Sequence, residues 1–109
     1  MAYATIADIQ ARLSFTLNVN SVPTLLNAGI IHDNVTRFID EYIGRSIAGG
    51  DQGLKWAETQ IVVAQIMAIH RNDMPPMYLT WETKNVLDNK RAKDNVKVYN
   101  LEFGYDSSI

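Results

Sequence analysis

There is no cysteine among the 109 residues, so neither a disulfide framework nor a thiolate metal site can form, and crosslinks carry no message about redox compartment. Long hydrophobic runs are missing as well. The most apolar stretch, Ile61 to Ile69, is far too short for a membrane span. Met1 to Gln10 lacks the basic start and apolar run of a signal peptide. These absences point to a chain made in the cytosol, staying there or in whatever assembles there, with no membrane partner. Excess positive charge is absent too: 10 Lys and Arg against 12 Asp and Glu leave a net charge of -2. No global field draws in nucleic acid, and any DNA contact must be local.

What is present suffices for one folded unit. Hydrophobic residues make up 47% and charged residues 20% of the chain, too apolar for intrinsic disorder. The length fits one domain, and no linker interrupts it.

Hydrophobic spacing predicts four helices. Thr5 followed by Asp8 reads as a cap, with Ile6, Ile9 and Leu13 as apolar positions of a short first helix, Ile6 to Leu13. Ser14 to Val22 reads as a loop, and Pro23 as the first residue of a second helix with Ser21 or Val22 before it. In that helix Leu25, Ala28, Ile31, Val35, Phe38, Ile39 and Tyr42 recur at helical spacing against a wet face, until Gly44 to Ile47. Gly49, Gly50 and Gly53 around Asp51 form a flexible turn.

Leu54 to Arg71 is the expected third helix. It is apolar around nearly its whole circumference between 61 and 69. A domain this small has few elements to cover it, so part of its surface is expected to be buried by a second subunit. Pro75 and Pro76 break the helix, and Thr80 caps a fourth that runs to about Ala92. Val96, Val98 and Asn100 then alternate with Lys97, Tyr99 and Leu101, a strand pattern without an evident partner strand. The expected fold is therefore mainly α: a small bundle of four helices, residues 1–95, with an extended or β-strand C-terminal arm, residues 96–109.

No set of side chains converges on catalysis. His32 beside Asp33 suggests a metal, but adjacent helical positions diverge by about 100° and His70 is the only other histidine. His32 is therefore read as a solvated helix residue. Asp40 and Glu41 likewise diverge and fall on the polar face. No serine has a nucleophile elbow around it, and the glycines at 49, 50 and 53 lack the Lys and Ser/Thr of a phosphate loop. The expectation is a protein that is not an enzyme, with no catalytic or metal site, no cofactor and no small-molecule substrate.

Two segments suggest binding. Lys84, Lys90, Arg91, Lys93 and Lys97 are half of all the basic residues and sit in the last third of the chain. They would meet DNA phosphates or an acidic partner, unless they serve only as a soluble helix end favoured by the dipole. Val96, Val98, Tyr99, Leu101, Phe103 and Tyr105 are too apolar to hang in water. They either pack back on their own helices or add a strand to a neighbour, and the second is preferred.

The words Met1 to Leu13 (MAYATIADIQARL), Val22 to Ala28 (VPTLLNA) and Phe38 to Arg45 (FIDEYIGR) resemble the tailed-phage head-tail connector, or adaptor, family. The similarity spans roughly residues 1–72. It implies a structural virion protein without enzymatic activity, made in the host cytoplasm and located at the head-tail interface. Such a subunit is expected to form a homo-oligomeric ring of about a dozen copies docked on the portal vertex. It receives a downstream head-completion or tail protein and lines a channel for packaged DNA. By position, Val96 to Ile109 would engage the portal protein. The region from Met74 to Phe103 departs from the family pattern, so no contact is carried over there. The alternative reading is a small helical DNA-binding regulator that uses the basic segment 84–97.

Overall fold

The computed structural model describes residues 2–47, 50–72 and 80–91. Of these, 65% are helical, in four helices with no strand among the described residues. In chain order they are α1 (Ile6–Gln10), α2 (Leu25–Ile43), α3 (Gln52–His70) and α4 (Trp81–Lys90).

Each helix begins at a polar residue whose side chain accepts from a free amide of the first turn. The Asp8 amide donates to Thr5 Oγ1 at 3.1 Å, and the Thr5 amide donates back to Asp8 Oδ2 at 2.9 Å, a reciprocal box. α1 is shorter than the predicted Ile6 to Leu13. Arg12 and Leu13 close tighter turns on the carbonyls of Ile9 and Gln10. The Gln10 side chain then holds the loop by donating to the Phe15 carbonyl at 2.7 Å and accepting from the Leu17 amide at 2.8 Å.

α2 starts at Leu25 instead of Pro23, because Thr24 is its cap and accepts from the Asn27 amide at 3.2 Å. It ends at Gly44, whose φ of 83° lies in the left-handed region where a Cβ is strained. α3 starts at Gln52, since Asp51 accepts from the Leu54 amide at 2.9 Å. Gly53 is thus inside the first helical turn, not in the flexible turn the glycines suggested. Thr80 caps α4 as predicted, and the helix stops at Lys90.

α3 is the hub, packing against α1, α2 and α4. Val35, Ile39 and Ile43 form one stripe of α2 and meet Leu54, Val62 and Ile66 of α3; Ile9 of α1 and Leu87 of α4 close the two sides. All eight are fully buried, each contributing about 1.5–3 kcal/mol by leaving water. Most of the apolar circumference of α3 is closed within the chain, while Trp56, Val63, Met67 and Ile69 stay half-buried. None of its large hydrophobic side chains is exposed, because helices on three sides cover it. Among the described residues no helix is long and apolar enough to cross a membrane.

Candidate functional site

The most connected polar group is a carboxylate in the core. Glu58 of α3 is fully buried, and its Oε2 accepts from the Tyr3 and Ala4 amides, each at 2.6 Å. The Thr36 hydroxyl of α2 donates to Oε1 while also bonding the His32 carbonyl. His32 Nε2 lies 3.4 Å from Oε2, close enough for an ion pair but not aligned as a hydrogen bond. His32 is therefore buried and paired, which corrects its reading as a solvated residue: its stripe of α2 faces α3.

Burial pushes the Glu58 carboxyl up, but His32, Thr36 and the Ala4 amide outweigh it and hold its pKa below the ordinary carboxylate value. The Glu58 carboxylate raises the His32 pKa against the opposing effect of burial. This cluster pins the N-terminal segment to α2 and α3. Among the described residues no group of three side chains is placed to hold a metal ion.

Asp40 is also drawn into this end of the molecule. It accepts from the Tyr3 hydroxyl, whose oxygen in turn accepts from the Ile47 amide at 3.0 Å. Asp40 is thus half-buried and bonded, while its neighbour Glu41 is exposed as predicted. At the opposite end His70 stacks on Phe15 with ring centroids 3.9 Å apart, and its Nδ1 donates to the Val22 carbonyl at 2.8 Å.

Of the basic segment, the three residues that the structure describes are engaged within the chain. Lys84 pairs with Asp88 one helical turn on, at 3.0 Å. Lys90 reaches Asp51 at the start of α3, at 2.8 Å. Arg91 donates from Nε to the Tyr42 carbonyl at 3.2 Å and lays its guanidinium 4.3 Å above the Tyr42 ring. Tyr42 in turn donates to Asp88 at 2.7 Å. These bonds seat the end of α4 against the end of α2. Lys93 and Lys97 lie outside the described residues, as do Val96, Val98, Tyr99, Leu101, Phe103 and Tyr105.

Among the described residues the most exposed apolar side chains include a group around the start of α2 that the sequence reading did not single out. Val19 (81% exposed) and Val22 (58%) precede α2, and Leu26 (76%) and Ile30 (52%) stand on its first turns. Leu26 and Ile30 are four residues apart and share one face. Beside them Val22, Ile31 and Ile69 line a shallow apolar groove. Periodicity missed this patch because Leu26 and Ile30 fall off the core stripe of α2. Two exposed leucines and an isoleucine within six positions were the available signal.

The chain matches no protein-family model, no curated protein and no solved structure.

Proposed function

We propose that this chain is a structural, non-enzymatic subunit of a tailed-phage head-to-tail connector, assembled as a homo-oligomeric ring between the portal and the next head-completion or tail protein. In this reading it is a small bundle of four helices bearing an extended C-terminal arm. The observation that carries it is the apolar surface at the start of α2, Val19 to Ile30, beside a core that is buried among the described residues. An isolated domain gains nothing from four large hydrophobic side chains in water, whereas a subunit buries them on assembly. The words that resemble the connector family include part of this stretch, Val22 to Ala28.

The regulator reading is weakened by geometry. Lys84, Lys90 and Arg91 already meet Asp88, Asp51 and Tyr42, so three of the cations it relies on would have to leave partners to reach phosphate.

The test is to produce the chain with a portal protein from its own genome and to image the mixture by electron microscopy. A ring seated on the portal is expected. Failure to join the portal, together with duplex DNA binding that weakens steeply with salt, would replace the connector by the regulator.

A further inference from the structure

A ring of identical subunits needs two different surfaces on each copy, because a head-to-tail contact joins one patch to another and not a patch to itself. The start of α2 supplies one. Among the described residues the large exposed hydrophobic side chains are Val19, Val22, Leu25, Leu26 and Ile30 around that start, and besides them Ile6, barely exposed at 37%, and Trp81, at 74%. Trp81 is the first residue of α4, a helix that meets α2 near its far end through Tyr42 and Asp88. The exposed indole is thus the second surface, on a different element from the first.

The groove beside Leu26 and Ile30 suits that side chain. Val22, Pro23, Ile30, Ile31 and Ile69 wall a space of about 430 Å³, within the range of pockets that take a ring-bearing group, on the order of 300–1,000 Å³. A buried indole keeps its N–H bonded. Asn27 also lines the groove. It commits its backbone amide to the Thr24 cap, which leaves its side-chain oxygen open to an indole N–H.

Charge agrees with the match. No charged residue occurs from Ser14 to Ile31, and an exposed cation, Arg71, follows Ile69 by two residues. Beside Trp81 stands the exposed Glu82. Neither Arg71 nor Glu82 forms an ion pair among the described residues. An exposed pair adds little affinity, but it fixes the orientation in which two copies meet.

From this we infer that Trp81 of one copy inserts into the groove between the start of α2 and the end of α3 of a second copy, with Glu82 facing Arg71. This contact deepens the homo-oligomeric reading above, on which it rests.

Two substitutions separate the inserted side chain from its groove. Trp81→Ala keeps the groove and Ile30→Asp keeps the indole; both positions are exposed, and circular dichroism checks that each variant folds. Sedimentation of the full chain, alone and with the portal protein, is expected to show the parent as an oligomer and each variant by itself as a monomer. An equimolar mixture of the two variants is expected to give a species of twice the monomer mass and nothing larger, since one intact indole meets one intact groove. In a Trp56→Phe background Trp81 is the one indole left, and its emission is expected to shift to the blue on assembly. Trp81→Ala assembling like the parent, or a mixture that stays monomeric, overturns the contact, while a ring seated on the portal still upholds the connector. A mixed dimer from a chain that never seats on the portal upholds the contact and overturns the connector alone.

Discussion

Glu58 and Tyr3 are 55 residues apart in sequence, yet the amide of one donates to the carboxylate of the other at 2.6 Å in the buried interior. The bond places the start of the chain on α3, and with Thr36 and His32 it joins three segments at one carboxylate. A buried ion pair is not in itself a stabilising device, because removing both charges from water costs about as much as their attraction returns. Removing one partner is different.

Glu58→Ala leaves the Tyr3 and Ala4 amides without their acceptor and the His32 ring without its ion-pair partner, while the Thr36 hydroxyl keeps only the His32 carbonyl. A loss of about 3–5 kcal/mol is expected, the range for breaking a buried charged network from one side. Urea denaturation measures it, and a change below about 1 kcal/mol, the scale of an exposed pair, would show that water replaces the carboxylate. Glu58→Gln keeps an acceptor for part of the network and should fall between.

Stability should pass through a maximum with pH. The lowered Glu58 pKa contributes stability that is present above its unfolded value and lost as pH falls through the folded one. The raised His32 pKa contributes stability that is present below its unfolded value, near 6.5, and lost as pH rises through the folded one. Thermal unfolding across pH 3 to 9, a range chosen about these ordinary values, is expected to peak between them. In His32→Asn the decline on the alkaline side should flatten, and an unchanged alkaline limb would remove His32 from the account.

The glycines of α2 should respond in opposite directions. Gly44 ends the helix at φ 83°, and Gly44→Ala is expected to cost about 1 kcal/mol. Gly29 stands in mid-helix with nothing within 4 Å of the position its Cβ would take. Gly29→Ala should stabilise by about 0.5–1 kcal/mol through helix propensity. Paired melting curves test both, and destabilisation by Gly29→Ala would indicate a close neighbour at that face.

Aspartate placed on the two apolar surfaces should separate folding from assembly. Ile66 is fully buried on α3, and Ile66→Asp is expected to cost more than about 4 kcal/mol and unfold the domain. Leu26 is 76% exposed, so Leu26→Asp should change stability by less than about 0.5 kcal/mol while abolishing association with partner subunits, as sedimentation would register. Retained assembly would remove the α2 patch from the interface.

The sequence by itself determined the helical class, the four helices of the described residues and the caps at Thr5 and Thr80, because these depend on apolar spacing of three and four and on a polar side chain within reach of a free amide. It also placed Ile39 on the apolar stripe of α2. Only the tertiary structure decided which polar residues are inside. His32 and Asp40 read as wet because burial depends on what packs against a helix from far along the chain, and the partners here, Glu58 and Tyr3, come from other segments. Glu58 itself sits between Leu54 and Val62 at core spacing, a polar residue on an apolar face whose role appears only once the amides of Tyr3 and Ala4 are brought to it. The same reason leaves Leu26 and Ile30 of α2 more exposed than any large apolar side chain of α3: spacing identifies which residues are hydrophobic, but three neighbouring helices decide which of them water still reaches.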